Sequence, residues 1–175
     1  MKHSAMKPLA LKSPAMKQLA LLWLALCVAL TPACAQSPRG DFQPTQLRDF
    51  KRDSLTIQRN GGRDQFSIWV AETPAQQQQG LMWIQQLPAD HGMLFLLPET
   101  RPMNMWMKNT YVPLDMVFFD DKGRITHIHE HAVPLSEDII DSGGEVAGVL
   151  EILGGEAHRR DLHVGDRLLY PRFIR

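Results

Sequence analysis

The sequence predicts a β-rich α+β domain: a compact, mostly antiparallel, barrel-like sheet with one or two short helices. Two observations favour this class. Several short apolar segments of strand length are separated by turn residues, and few segments have helical character. The chain has 175 residues and no internal repeat, which fits a single domain.

The first 35 residues have the features of a cleaved secretory signal peptide. Lys7, Lys12 and Lys17 precede an uncharged run over residues 19–30, which is too short to cross a bilayer core that takes about 20 apolar residues. An A-x-A pattern ends at Ala35. We therefore expect cleavage after Ala35 and a periplasmic or secreted protein without a transmembrane anchor. A start at Met16 and lipid attachment at Cys34 are open alternatives.

Cleavage would change the charge and the cysteine content. The whole chain has 19 Lys+Arg and 19 Asp+Glu, whereas residues 36–175 keep 15 Lys+Arg against 19 Asp+Glu, a net charge of −4. Because nucleic-acid binding needs a clustered excess of cations, no nucleic-acid partner is expected. Both cysteines, Cys27 and Cys34, are removed, which excludes cysteine nucleophiles, thiolate metal sites and disulfides from the mature chain.

The mature chain is predicted to begin with a flexible tether and then a hairpin. Residues 36–53 are polar and contain prolines and a glycine, so we interpret them as a tether to a single domain over 54–175. Apolar residues alternate over 55–57 and again over 66–70. The Asn-Gly-Gly sequence at 60–62 between them favours a tight hairpin turn.

A short helix is predicted after the hairpin. Thr73 can cap the helix, Pro74 suits its first position, and Gln76 lies where a capping box needs it. Gly80 marks its end. The run of four glutamines at 76–79 is interpreted as a solvent-exposed face.

The rest of the domain is predicted to be mainly strands. The apolar run 93–97 ends at Pro98 and is consistent with a strand buried on both faces. Val and Ile favour a strand over a helix for residues 146–153. The other predicted elements are strands at 114–119, 124–131 and 167–170 and a helical turn at 156–160.

The densest candidate site lies in residues 103–110. If this segment is a strand, Trp106, Lys108 and Thr110 share one face, since alternate side chains point the same way. A tryptophan beside the lysine and Asn109 offers a stacking surface with hydrogen-bond donors. This combination suits a sugar or another small polar ligand.

Five residues are predicted to bind this ligand: Trp106, Lys108, Asn109, Asp115 and Glu151. Trp106 would stack on the ligand, and Lys108 and Asn109 would donate hydrogen bonds. Asp115 and Glu151 would orient Lys108 or accept from the ligand. The alternative is a packing role, with Trp106 in the core and Lys108 paired with one of the two carboxylates.

Two rows of potential metal ligands raise an alternative function, periplasmic handling of Cu or Zn. Thioethers favour Cu(I), and methionines alternate at Met103, Met105 and Met107, but such a stripe is typical of core packing. Histidines alternate at His127, His129 and His131, but successive rings on a strand lie roughly 6–7 Å apart, too far for one ion. No metal ligand and no cofactor is assigned.

A hydrolase or lyase that uses Asp115 and Glu151 as an acid/base pair is the second alternative. The sequence contains neither a G-x-S-x-G elbow nor an H-E-x-x-H motif. We therefore assign no catalytic residue. The leading hypothesis is a non-enzymatic binding or accessory domain whose partner is a small polar ligand or an envelope protein.

Taken together, several motifs resemble the bacterial and archaeal family called domain of unknown function 192. They occur in order over roughly residues 55–170: Gly80-Leu81-Met82, Leu87-Pro88, Gly92-Met93-Leu94-Phe95, Trp106-Met107-Lys108-Asn109-Thr110, Pro113-Leu114-Asp115, Val149-Leu150-Glu151 and Val164-Gly165-Asp166. The resemblance implies a compact β-rich, barrel-like domain, often exported. It implies no established activity, cofactor or substrate.

One departure from the family pattern bears on the candidate site. Family members usually have a basic residue shortly after Gly-Leu-Met, whereas this chain has Trp83-Ile84-Gln85. A polar pocket that relied on that basic residue would therefore be altered here.

Overall fold

The computed structural model describes residues 42–174, so the predicted signal peptide, its cleavage site and the first part of the tether lie outside the described residues. Seven strands form one sheet: β1 (Lys51–Arg59), β2 (Gly62–Ala71), β3 (His91–Met105), β4 (Leu114–Phe119), β5 (Ile125–Ala132), β6 (Ile140–Leu153) and β7 (Arg167–Leu169). A 3-10 helix (Thr45–Leu47) and two short helices, α1 (Pro74–Gln79) and α2 (Glu156–Arg159), complete the described elements.

The sheet is curled and mostly antiparallel. The strand order is β5-β4-β6-β3-β2-β1-β7, and β2 with β3 is the parallel pair. The two edge strands approach each other at one end, where Arg124 and Arg167 form a single antiparallel bridge. The sheet is therefore a half-barrel, which confirms the predicted β-rich fold class.

Two apolar clusters lie on opposite faces of this sheet. One contains Phe66, Val117 and Leu150, and the other contains Phe95 and Met116. Adjacent residues of a strand point to opposite faces, so Met116 and Val117 belong to different clusters. The second cluster also includes buried residues of the segments 81–87 and 103–112, which cover that face of the sheet.

The local signals for the hairpin and for α1 are confirmed. β1 and β2 pair from Lys51–Val70 to Arg59–Gly62. The Thr73 hydroxyl accepts a hydrogen bond from the Gln76 N–H at 3.2 Å, and the Gln76 side chain accepts from the Thr73 N–H at 3.0 Å. This capping box satisfies backbone donors that the first turn of a helix leaves free.

The glutamine run is not buried, as predicted, but three of its four side chains also make hydrogen bonds to distant backbone carbonyls. The Gln77 side-chain amide donates to the Leu96 carbonyl at 3.0 Å, and that of Gln79 donates to the Gln46 carbonyl at 2.7 Å. Gln76 also donates to the Asp49 carbonyl at 3.1 Å. The helix is thereby joined to β3 and to the segment before β1.

Two boundaries differ from the sequence-based predictions: the domain starts earlier, and β3 ends later. Leu47 and Phe50 are buried and β1 starts at Lys51, whereas the sequence placed the start of the domain near Ser54. β3 continues past Pro98 because the pairing with β6 shifts register between Leu96 and Arg101. A bulge of this kind tolerates a proline that cannot donate to the ladder.

Within residues 42–174, no helix has the length and apolar character needed to span a membrane.

Candidate functional site

A groove of about 390 Å³ lies between α1, the segment after it and the loop that follows β3. We call it the Trp106 groove. Its walls include Gln78, Met82, Trp83, Trp106, Lys108 and Asn109. Three of the five residues predicted to bind a ligand therefore line one groove.

Buried neighbours hold Trp106 at the surface. β3 ends at Met105, so Trp106 and Lys108 lie in a loop and not on a strand face as predicted. Met107 is fully buried, and its N–H donates to the Ser136 carbonyl at 3.0 Å. The Trp106 side chain is 43% exposed, which rules out the alternative in which it belongs to the core.

The two loops of the groove are joined through their backbones. The Trp83 N–H donates to the Asn109 carbonyl at 2.9 Å, and the Asn109 amide lies 3.8 Å from the Met82 sulfur. Trp83 and Asn109 have φ angles of 69° and 55°. Left-handed backbone is unusual for residues other than glycine and is unfavourable for a bulky one.

Lys108 contacts neither of the carboxylates assigned to it by the sequence. Its ammonium lies 5.3 Å from the centre of the Trp106 ring, within the range of a cation–π contact. Its ion-pair partner is Glu137, at 3.7 Å. Both side chains of that pair are largely exposed, so the pair is weak and leaves Lys108 available to a ligand.

Glu151 lies behind the groove. A cavity of about 30 Å³ is lined by Glu151, Thr110, Trp106 and Lys108, and the last two also line the groove. The Glu151 side chain is buried, and its Oε2 atom has no hydrogen-bond partner within residues 42–174. The cavity has room for one water-sized group.

Burial also changes the acidity of Glu151. It raises the pKa of the carboxyl from 4.5 to about 8, because the charged form loses its hydration. At neutral pH the side chain is therefore mostly a neutral acid. A neutral carboxyl can donate one hydrogen bond and accept others.

Asp115 does not belong to this site. It is fully buried, and its carboxylate accepts hydrogen bonds from the N–H groups of His131 at 2.8 Å, Gly155 at 3.0 Å and Ala157 at 2.8 Å. It therefore fixes the first turn of α2 against β5. Its predicted role beside Lys108 is not supported, because structural donors occupy the carboxylate.

The pairing of β4 with β6 explains why the two carboxylates are apart. Met116 is opposite Glu151, and Asp115 is opposite Ile152. Since neighbouring residues alternate between the faces, Asp115 and Glu151 point to opposite sides of the sheet. The acid/base pair that a hydrolase or lyase would need is therefore not formed.

The three methionines and His127 have packing roles in the described structure. Met103 and Met107 are buried in the cluster beneath the loops, and Met105 packs against it. The His127 ring stacks on Phe118, with centres 5.7 Å apart and planes at 20°. Within residues 42–174, no group of three His, Cys, Asp or Glu side chains is arranged to hold a metal ion.

Sequence reasoning missed Gln78, Met82 and Trp83 as groove residues. They lie about 25 positions before Trp106 and are brought to it by contacts between the two loops, such as the Trp83–Asn109 hydrogen bond. The available signal was the Gly80-Leu81-Met82 motif, which carries part of the family resemblance and directly precedes Trp83.

The comparisons with known proteins identify a family and two similar structures. The family model DUF192, described as an uncharacterized ACR, matches residues 55–170. A crystal structure from Sinorhizobium meliloti 1021, described as a candidate transcription regulator, is 46% identical, with a TM-score of 0.67; the match covers 69% of this chain and 94% of that one.

A second structure, a protein of unknown function from Novosphingobium aromaticivorans DSM 12444, is 33% identical, with a TM-score of 0.70. That match covers 73% of this chain and 90% of the other. Among curated proteins, no sequence matches this chain. The comparisons therefore give the fold and the family without an activity.

Proposed function

The chain belongs to the DUF192 family, a family of unknown function, and from that premise we propose that it is an exported, non-enzymatic domain that binds a small polar ligand. The ligand would occupy the Trp106 groove. One of its polar groups would enter the cavity behind the groove and contact Glu151. A neutral sugar is the ligand class that this set of groups fits best.

The observation that carries this proposal is the free Oε2 atom of Glu151. A buried polar atom without a partner costs about 1–3 kcal/mol, so such atoms are rare in stable folds. This one lies in a cavity that borders an open groove. A ligand hydroxyl in the cavity would supply the missing hydrogen bond.

The groove contains groups for the remainder of such a ligand. Trp106 presents an exposed aromatic face, on which the apolar side of a sugar ring can stack. Lys108 and Asn109 bring donors to the same wall. The left-handed backbone at Trp83, a bulky residue of the groove wall, supports a functional role, since strained residues cluster at binding sites.

The signal-like features of residues 1–35 support export. Native mass spectrometry of protein purified from periplasm without chelator tests both parts of the proposal. We expect the mass of residues 36–175 plus that of a bound small molecule. The mass of the whole chain would contradict cleavage, and a bound metal ion would favour the metal-handling alternative.

A titration tests the groove directly. Glucose, galactose and N-acetylglucosamine are added to the mature protein while tryptophan fluorescence is followed. We expect at least one sugar to change the signal, Lys108→Ala to weaken binding about tenfold, and Lys51→Ala, an exposed lysine in β1, to leave it unchanged. That tenfold loss corresponds to ~1.4 kcal/mol. Folded protein that binds none of the three sugars would contradict the sugar assignment.

The description of the S. meliloti relative as a candidate transcription regulator raises the question of a nucleic-acid partner for this chain. Residues 36–175 carry a net charge of −4, which opposes association with a phosphate backbone. The partner we propose is therefore a small molecule and not a nucleic acid.

A further inference from the structure

A second cavity, of about 460 Å³, lies at a different place in the fold and shares no lining residue with the Trp106 groove. We call it the basic cavity. It forms where the bulged part of β3 meets the β4–β5 turn, β7 and the segment after β7. Its polar lining residues are Thr100, Asp121, Lys122, Arg167 and Arg172, and Phe173 contributes an aromatic ring.

The cavity concentrates positive charge, although residues 36–175 carry a net charge of −4. Lys122, Arg167 and Arg172 are cations, and Asp121 is the one acidic residue in the lining of the cavity. Within residues 42–174, none of the three cations has a carboxylate within 4.0 Å, the distance that defines an ion pair. The charge of these three side chains is therefore not neutralised by an ion pair in the described structure.

Backbone carbonyls hold the two guanidinium groups in place. The Arg172 Nη2 atom donates to the Leu97 carbonyl at 2.5 Å and to the Pro98 carbonyl at 3.3 Å. The Arg167 Nε atom donates to the Lys122 carbonyl at 3.2 Å. A guanidinium has five N–H donors, so each group keeps donors for a ligand after these contacts.

One side of the cavity is closely packed. Phe173 is buried, and its ring packs against Phe119 with centres 5.3 Å apart. Gly123 lies in the adjoining turn. A Cβ atom added to it would lie 2.6 Å from the Leu168 carbonyl oxygen, so a side chain there would require the backbone to move. The cavity wall is therefore built from packed residues, with the cations around it.

We propose that the basic cavity binds a small organic anion through its phosphate or carboxylate oxygens. Arg167 and Arg172 contact the oxyanion, because the planar fork of a guanidinium matches two oxygens of such a group. Lys122 adds a point charge. The apolar part of the anion lies against Phe173, and Asp121 disfavours ligands that fill the cavity with negative charge.

Calorimetric titration of the mature protein at low ionic strength tests this proposal. Inorganic phosphate and citrate are the two probes. We expect at least one of them to bind, and which one binds distinguishes phosphate from carboxylate recognition. Binding of neither probe at millimolar concentration would overturn the proposal.

Three single variants locate the binding. We expect Arg167→Gln to raise Kd about tenfold and Lys122→Gln to raise it less, since charge-assisted hydrogen bonds to Arg are the stronger ones. The matched control is Arg63→Gln, which removes the same charge from an exposed position on β2 outside the cavity. An equal loss in Arg63→Gln would mean attraction by overall charge and would overturn the proposal.

Lys122→Gln also covers the case in which Arg167→Gln fails to fold, because the Lys122 side chain makes no hydrogen bond or ion pair with residues 42–174. Folded Lys122→Gln that binds the probe as the parent protein does, while Arg167→Gln is unfolded, would overturn the assignment of the site. Loss of sugar binding in the Trp106 groove does not bear on this result, since the two cavities share no residue.

Discussion

The N–H of Trp83 donates a hydrogen bond to the carbonyl of Asn109 at 2.9 Å, and both residues have left-handed backbone. The bond joins two loops that are distant in sequence and that form opposite parts of the Trp106 groove. Left-handed conformation costs roughly 1–2 kcal/mol for most residues with a side chain, such as Trp83, and less for asparagine. The surrounding packing therefore keeps the groove in a conformation that the isolated loops would not favour.

The conformation at Asn109 predicts a difference between two substitutions. Both Asn109→Gly and Asn109→Ala remove the side-chain amide, but glycine accepts a φ of 55° without strain. We expect Asn109→Ala to lower the free energy of unfolding by about 1 kcal/mol more than Asn109→Gly does. Urea denaturation measures the difference. Equal stabilities would mean that the left-handed backbone is not strained.

The three hydrogen bonds of Asp115 predict a structural role. Asp115→Ala leaves the N–H groups of His131, Gly155 and Ala157 without their acceptor. Each lost bond of this kind costs about 1–3 kcal/mol, so we expect a total loss of at least about 3 kcal/mol of unfolding free energy. Asp121→Ala, at an exposed position, serves as the control and should change stability by less than about 0.5 kcal/mol. A stable Asp115→Ala variant would contradict this role.

The raised pKa of Glu151 predicts how stability depends on pH. In the unfolded chain the carboxyl ionises near pH 4.5, whereas in the folded chain it ionises near pH 8. Between these values the folded state binds one more proton, so stability falls as pH rises through this window. Glu151→Gln removes that loss. We expect it to be more stable than the parent by about 2–4 kcal/mol at pH 8, based on ~1.4 kcal/mol per pKa unit.

Thermal unfolding of the ligand-free protein between pH 4.5 and pH 8 measures this effect. The gap between parent and Glu151→Gln should widen as pH increases. Glu145→Gln, at an exposed position on the same strand, is the control and should show no such widening. A gap that stays constant with pH would show that Glu151 is ionised in the folded state.

The side chains of α1 predict that neighbouring glutamines have different importance. Gln77 donates to the Leu96 carbonyl and also lies 3.4 Å from the Ala71 carbonyl, whereas Gln78 is exposed at the groove. We expect Gln77→Ala to cost about 1–2 kcal/mol, from one or two lost hydrogen bonds. Gln78→Ala should cost less than about 0.5 kcal/mol. Chemical denaturation compares the two, and equal costs would contradict the bridging role of Gln77.

The elements whose signals are local were predictable from the sequence. The apolar run of β4 matches its observed bounds, and Thr73 with Gln76 indicates the start of α1 through a motif four residues long. The hydrogen bonds of the glutamine run were not predicted because its partners lie far away in sequence, at Gln46 and Leu96. No local pattern records a partner of that kind.

The candidate site was predictable in part for the same reason. Trp106, Lys108 and Asn109 are adjacent in sequence and reach the same groove. The faces occupied by Asp115 and Glu151 depend on the register between β4 and β6, which pairs Asp115 with Ile152. A register is set by the whole sheet, and a shift of one residue would exchange the two faces.

The position of β1 between β2 and β7 links the first strand of the domain to the last. Its pairing with β7, Thr56 with Leu169 for instance, spans almost the entire domain. During vectorial synthesis, β1 therefore lacks one neighbour until the C-terminal strand is available. A chain shortened before Arg167 should keep that side of β1 open to strands of other molecules, and size-exclusion chromatography would then detect self-association.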